Sequence, residues 1–228
     1  MLINMRNAML CGKRLPYDAE VEFLESTGTQ YIDTGRVADA MFGFEITCAF
    51  LDDNCVYGTI NGTGGVGTAR FDWVRYQFGR RYNVSGSNTL FYGFNNMDSN
   101  SWLSTPLDCA NVHTYRVSNG EFFVDGRMQN YGQSSNFSAN PFFLFASNSA
   151  TGYSLAAKSR LYSAKIYDND VLVRDFQPVR FTNELGQIEG AIFDRANPTV
   201  GMNPDGSARA DGLYRNRGSG AFLYGNDI

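Results

Sequence analysis

A group of aromatic and polar residues in the middle of the chain has the composition of a sugar-binding surface. Sugars stack their flat C–H faces on Trp and Tyr rings, and Asn and Arg side chains hydrogen-bond to their hydroxyl groups. In a strand over 70–78, alternation places Trp73 and Arg75 on the face opposite Val74 and Tyr76, directed to solvent. The predicted ligand-binding residues are Trp73, Arg75, Tyr82, Asn95, Asn96 and Trp102. The alternative, that these rings pack inside the fold, stays open at this point.

Two clusters of oxygen-bearing side chains have the chemistry of a calcium site. Calcium takes loop carboxylates and carbonyl oxygens as ligands. The richest clusters are Asp52, Asp53 and Asn54 and, further along, residues 98–100. Both are equally typical of solvated turns. We therefore predict no cofactor, with calcium at residues 52–54 as the alternative.

Two other motifs lack the context that their chemistry needs. Residues 62–67 satisfy the Gly-x-Gly-x-x-Gly pattern, but a predicted strand follows instead of the helix that a dinucleotide site requires, so we interpret them as a hairpin loop. His113 is the only histidine, and no Ser or Cys nucleophile with recognisable context accompanies it. We expect His113 to lie at one end of a strand with its ring hydrogen-bonded, and we expect no catalytic residues.

The four cysteines lie far apart with no Cys-x-x-Cys pair, and the sequence has a single histidine, so we expect no zinc site. They are interpreted as free thiols that pack as small apolar groups: Cys11, Cys48, Cys55 and Cys109.

Charge and hydropathy disfavour several classes of partner. The net charge of −4 and the pI near 5.0 give no general attraction for nucleic-acid phosphates, so we expect no nucleic-acid partner. No apolar run reaches the roughly 18 residues that cross a bilayer, so no membrane span is expected. The first residues lack the order of a secretory signal peptide, and we expect synthesis in the cytoplasm without that export route.

Short strands must position these residues. Phe and Tyr are abundant, at 18 and 13 residues, and 24 glycines divide the sequence into short alternating runs. The pairs Asn119-Gly120, Asp125-Gly126 and Asn169-Asp170 tolerate the positive φ of tight hairpins. The predicted strands are 19–25, 30–34, 43–51, 55–60, 70–78, 89–94, 113–117, 121–124, 141–146, 160–167 and 171–176. Within 43–51, we expect Phe44, Ile46, Cys48 and Phe50 to share an inward face.

Two segments depart from this pattern. Residues 1–16 form a predicted arm, because Leu2, Met5 and Met9 recur at helical spacing before Gly12 and Pro16. Ten residues are too few for a stable isolated helix, so the arm is expected to dock on another subunit. Residues 196–211 are rich in proline, glycine and polar residues, and we predict a mobile insertion there.

The run of residues 22–35, from Glu22-Phe23-Leu24-Glu25-Ser26-Thr27-Gly28 to Thr29-Gln30-Tyr31-Ile32-Asp33-Thr34-Gly35, resembles the opening of LamG-like jelly-roll domains of phage and gut-bacterial proteins. These domains belong to the concanavalin A-like lectin/glucanase superfamily. Later blocks are similar to the family in the same order, at 113–117, 124–127, 160–169, 172–179, 212–216 and 218–222. The resemblance spans about 17–225, with the 196–211 insertion as its main departure.

One glycosidase branch of this superfamily carries a Glu-x-Asp-x-x-Glu strand whose two carboxylates act as nucleophile and acid/base. Glu20, Glu22 and Glu25 look like that strand. Here the middle residue is Glu and the segment is the first strand of the domain, so we interpret these residues as surface carboxylates on an edge strand.

The resemblance implies an all-β, two-sheet antiparallel jelly-roll sandwich over 17–228 with a helical or extended arm at 1–16. It favours a non-catalytic recognition or attachment module that binds glycans on a phage particle or in a phage-derived locus. Expected partners are a glycan or cell-surface ligand, other virion subunits reached through the arm, and further copies of the chain. The alternatives are a purely structural tail, fibre or head-decoration subunit and, more distantly, a glycoside hydrolase.

Overall fold

The computed structural model describes residues 15–39, 41–52, 55–60, 75–82, 88–93, 101–102, 107–118, 121–129, 140–149, 152–154, 156 and 158–228. Every regular element within these ranges is a β-strand. The predicted all-β class is therefore confirmed. No helix of the described ranges is apolar and long enough to span a bilayer.

The strands are short, and most are bounded by turn residues. In chain order they are β1 Ala19–Glu20, β2 Leu24–Thr27, β3 Ile32–Val37, β4 Phe42–Phe50, β5 Cys55–Ile60, β6 Arg75–Tyr82, β7 Asn88–Gly93, β8 Ser101–Trp102, β9 His113–Ser118, β10 Glu121–Val124, β11 Arg127–Gln129, β12 Pro141–Leu144, β13 Ser147–Ser149, β14 Gly152–Ser154, β15 Lys158–Asp168, β16 Val171–Thr182, β17 Ile188–Asp194, β18 Gly201–Met202, β19 Ala208–Arg209, β20 Leu213–Tyr214 and β21 Leu223–Tyr224.

These strands form two sheets. The larger sheet has the order β11-β10-β9-β4-β15-β16-β17-β20-β18-β19, with β1 beside β16 and β2 between β15 and β21. The smaller sheet has the order β14-β13-β5-β6-β7-β8, and β12 joins it to β3.

The expectation of purely antiparallel sheets is wrong at two pairs. β13 runs parallel to β5, and β18 runs parallel to β20. The first exception has a local cause: Gly58 pairs antiparallel with Phe143 and then parallel with Ser147. Phe145, between them, is buried with a positive φ of 67°, and this reverses the chain beside β5.

An aromatic core joins the two sheets face to face, as in a β-sandwich. Phe44 of the larger sheet stacks on Phe78 of the smaller sheet with ring centroids 5.0 Å apart. Phe50 and Tyr57 meet edge to face at 5.1 Å. The expected inward quartet is confirmed, since Phe44, Ile46, Cys48 and Phe50 are fully buried. Ala49 is also buried, so the alternation of β4 ends before its last residues.

Two of the predicted hairpin turns have the expected backbone. Asp125-Gly126 joins β10 to β11 with φ values of 49° and 74°, and Asn169-Asp170 joins β15 to β16 with values of 50° and 59°. Positive φ at both central residues matches the right-handed twist of the flanking strands. Asn119-Gly120 lies outside the described residues.

The second half of β16 and most of β17 are buried on both faces. Phe176 and Ile192 belong to the main core, whereas a second cluster packs on the opposite face of β16 and β17: Val179, Phe181, Ala191, Phe193 and Leu213, with Tyr17 against it. Residue 188 onward was not predicted as a strand, yet β17 pairs with β16 over seven residues. A strand covered on both faces has no polar alternation to reveal it.

Of the two unusual segments of the sequence, the structure describes the whole of 196–211 but only the last residues of the arm. Within 196–211, β18 and β19 form a hairpin closed by a hydrogen bond from the Asn203 N–H to the Ser207 carbonyl. Its mobility stays a prediction. Residues 1–14 lie outside the described residues, and the arm also stays a prediction.

Candidate functional site

The residues predicted to bind a ligand fall mostly outside the described ranges. Trp73, Asn95 and Asn96 are not described. The backbones of three others are placed: Arg75 begins β6, Tyr82 ends it, and Trp102 pairs with Phe91 of β7. Arg75 and Tyr82 lie seven residue steps apart along β6, which is about 23 Å at the usual rise. The described backbone thus does not bring these two residues together, and the patch as a whole stays a prediction.

Of the three predicted calcium ligands, the structure describes only Asp52. Asp52 follows β4, is exposed, and has its Oδ2 atom 4.0 Å from the Nζ atom of Lys158. Asp53 and Asn54 lie outside the described residues. Among the residues that the structure describes, no group of three His, Cys, Asp or Glu side chains could hold a metal ion. Calcium at 52–54 therefore stays a prediction.

The three N-terminal glutamates each have a different partner. Glu20 pairs with Arg195 at 2.8 Å, and Glu25 pairs with Arg160 at 2.5 Å. Glu22 accepts weak hydrogen bonds from Asn226. Glu20 and Glu25 also belong to different strands, β1 and β2. These contacts are in keeping with our interpretation of the segment as surface carboxylates. The expected edge strand is wrong for β2, which pairs with β15 on one side and β21 on the other.

The outward face of the larger sheet carries a continuous row of side chains that sequence reasoning did not single out. Its members lie opposite one another across six neighbouring strands, from β11 to β16, and all are exposed or partly exposed: Met128, Phe123, Arg116, Glu45, Lys165 and Asp175. Directly opposed residues on one face of a sheet lie in side-chain contact range. The row therefore brings apolar, cationic and anionic groups together on an otherwise solvated surface.

A cavity of about 370 Å³ opens beside the middle of this row. Its lining residues are Glu45, Arg116, Ser118, Tyr167 and Asp170, and we call it the Arg116 cavity. β4 supplies the Glu, β9 the Arg and Ser, β15 the Tyr, and the β15–β16 turn the second carboxylate. The site therefore exists only because β9, β4 and β15 are neighbours in the larger sheet.

Both carboxylates of the Arg116 cavity are partly engaged. The Nζ atom of Lys165 donates to Oε1 of Glu45 at 3.3 Å, and Ser118 Oγ donates to Oδ1 of Asp170 at 3.1 Å. In the part of the chain that the structure describes, the second oxygen of each carboxylate makes no hydrogen bond. Each carboxylate thus keeps an acceptor that a ligand can use.

The guanidinium of Arg116 is the main donor of the cavity. Its Cζ atom lies 5.6 Å from the ring centroid of Phe123, a contact that orients the side chain over the neighbouring strand. No carboxylate lies within ion-pair distance of it among the described residues. A guanidinium carries five N–H donors, and here they are available to a ligand.

The environment also fixes the protonation of two neighbouring groups. Partial burial and the charge of Glu45 raise the pKa of Tyr167, so its hydroxyl stays protonated at neutral pH. Partial burial lowers the pKa of Lys165, but its hydrogen bond to Glu45 reverses this, and the pKa lies above its ordinary value. Tyr167 therefore lines the cavity as a neutral phenol, and the Lys165 cation lies outside the lining, hydrogen-bonded to Glu45.

His113 has the structural role that the sequence predicts. It begins β9, and both ring nitrogens lie within hydrogen-bonding distance of oxygen atoms. The described cysteine thiols, Cys48 and Cys109, are free and buried, also as predicted.

No family model, no curated protein and no solved structure matches this chain. We therefore infer its function from the residues and their geometry.

Proposed function

We propose that this protein is a non-catalytic, glycan-binding recognition module, and that its β-sandwich is a LamG-like jelly roll. The observation that carries the proposal is the Arg116 cavity, where an arginine without an ion-pair partner among the described residues faces a phenol and two partly engaged carboxylates. Planar guanidinium and carboxylate groups are the usual hydrogen-bonding partners of sugar hydroxyls, and a Tyr ring offers an apolar face to the sugar C–H groups.

The position of the cavity suits an attachment role. It opens on the outward face of the larger sheet, whereas the aromatic core occupies the inward face. A ligand can thus bind there without disturbing the sandwich. The resemblance to phage domains supports placing the module on a phage particle or in a phage-derived locus, with the 1–16 arm as its anchor.

Glycan binding is tested by an array screen of the purified full chain. We expect binding to a subset of glycans, and we expect the Arg116→Gln variant to lose most of that signal with an unchanged melting temperature. Arg127→Gln is the matched control, because Arg127 is an exposed arginine on β11 that does not line the cavity. A blank array for the unmodified protein would overturn the proposal and favour a purely structural virion subunit.

The particle assignment has its own test. If it is correct, the coding sequence lies beside genes for tail, fibre or head proteins, and the protein co-sediments with assembled particles. A locus without virion genes, and a protein absent from purified particles, would contradict this part of the proposal while leaving glycan binding intact.

A further inference from the structure

The Arg116 cavity presents hydrogen-bond donors and acceptors side by side. The donors are the Arg116 guanidinium and the hydroxyl of Tyr167. The acceptors are Oε2 of Glu45 and Oδ2 of Asp170, which have no hydrogen bond within the described residues. From this arrangement we infer that the cavity selects neutral, hydroxyl-rich sugars and discriminates against acidic ones. The inference rests on the proposed glycan-binding function.

A hydroxyl group both donates and accepts, so a vicinal diol uses both kinds of group in the cavity. One hydroxyl accepts from Arg116 while it or its neighbour donates to Asp170 or Glu45. A carboxylate or sulfate only accepts. It would satisfy the guanidinium and leave both free carboxylate oxygens facing another anion.

The charges around the cavity point the same way. Of the described residues, two carboxylates and one guanidinium line it, and Lys165 offsets Glu45 from outside the lining. Glu121, at the start of the neighbouring strand β10, is exposed on the same side of the sheet. An acidic ligand therefore pairs with Arg116 but is repelled by the nearby carboxylates, whereas a neutral ligand is not repelled.

Asp170 is the residue that decides this preference. It lies in the β15–β16 turn with a φ of 59°, a conformation that Asn also tolerates. The Asp170→Asn substitution thus removes the charge and keeps the turn. Glu45 is less suitable for the test, because its loss would leave Lys165 without its partner.

The experiment measures affinities for paired oligosaccharides by isothermal titration calorimetry. One member of each pair is a neutral oligosaccharide of glucose, galactose, mannose or N-acetylglucosamine. The other member is the same oligosaccharide with an added carboxylate or sulfate group. We expect the neutral member of a binding pair to bind about tenfold more tightly, with little dependence on salt. Asp170→Asn should weaken the neutral ligand and bring the acidic one closer to it. Asp205→Asn, in the turn between β18 and β19 at the far end of the larger sheet, is the matched control and should leave the ratio between the pair unchanged.

The outcomes separate the inference from the proposed function. Tighter binding of the acidic member, with affinity that falls as salt rises, would overturn the inference and leave glycan binding established. An unchanged ratio in Asp170→Asn would also overturn it. If neither member of any pair binds, the glycan-binding function itself is wrong.

Discussion

The Nδ1 atom of His113 lies 2.7 Å from Oδ2 of Asp125, where the start of β9 meets the end of β10. The other ring nitrogen, Nε2, lies 3.1 Å from the carbonyl oxygen of Asp108. Both neighbours of the ring are acceptors, so a ring N–H has a partner on either side. Asp125 also accepts from the N–H of Thr114 through Oδ1 at 2.9 Å. The Asp125 carboxylate therefore links His113 and Thr114 of β9 to the turn between β10 and β11.

We expect Asp125→Asn to lower the free energy of unfolding by about 1 kcal/mol, because it weakens two charge-assisted hydrogen bonds at a half-exposed site. Asn tolerates the positive φ of the turn, so the loss of stability measures the contribution of the carboxylate charge. Asp170→Asn is the matched control, since Asp170 has a similar φ but, among the described residues, accepts only from the Ser118 hydroxyl. Urea unfolding of both variants measures the difference. An equal loss in both would show that His113 and Thr114 contribute nothing through this carboxylate.

The same carboxylate predicts a pH dependence of stability. Burial raises the pKa of Asp125, but hydrogen bonds from Thr114 and His113 outweigh it and hold the pKa below its ordinary value of 3.8. The unfolded chain then binds the proton more readily than the folded one. The stabilisation is present above about pH 4 and is lost as the pH falls through the folded-state value. Urea unfolding from about pH 6 to about pH 2 should show a steeper decline for the unmodified protein than for Asp125→Asn. Parallel curves would refute this assignment.

Phe44 is expected to be one of the most sensitive positions of the core. It is fully buried and stacks on Phe78 across the two sheets. Phe44→Ala should lower the free energy of unfolding by about 3–5 kcal/mol, through lost burial and the cavity left behind. Thr47→Ala, an outward and partly exposed position on the same strand, should cost less than about 1 kcal/mol. A small effect at Phe44 would mean that the two sheets do not pack as described.

Two glycines resist substitution for different reasons. A Cβ atom on Gly43 would lie 2.9 Å from the backbone oxygen of Val117, whereas one on Gly126 would meet nothing within 4 Å. Gly126 has a φ of 74°, so its constraint is conformational. We expect Ala to destabilise both positions, and Asn to recover stability at Gly126 but not at Gly43. Thermal unfolding of the four variants tests this. Recovery by Asn at Gly43 would show that β9 can move away from β4.

The buried thiols should be chemically inert in the folded protein. Burial raises the pKa of Cys109 to about 11 and that of Cys48 well above its ordinary value. Because the thiolate is the reactive form, neither should react appreciably with a thiol reagent at pH 8 until the protein unfolds. The measurement uses a variant with Cys11→Ser and Cys55→Ser, so that only these two thiols report. Complete modification of that variant within seconds under native conditions would contradict the burial of both.

Local sequence patterns predict the strands that have one buried and one exposed face. β10 has the predicted bounds, and β4 and β9 differ from them by a residue at most at either end, because alternation repeats every two residues wherever one face meets the core. The turns at Asp125-Gly126 and Asn169-Asp170 were predictable because few residue types tolerate positive φ. Each of these features depends only on near neighbours in the chain.

The tertiary structure alone decided the rest. β17 and the second half of β16 pass between two apolar clusters, and burial on both faces removes the alternation by which a strand is recognised. The Arg116 cavity was not predictable for a different reason. Glu45, Arg116 and Tyr167 are separated by long stretches of sequence, and each is an ordinary outward residue of its own strand. Only the pairing of β9 and β15 on either side of β4 brings them together, and strand order depends on how the whole core packs.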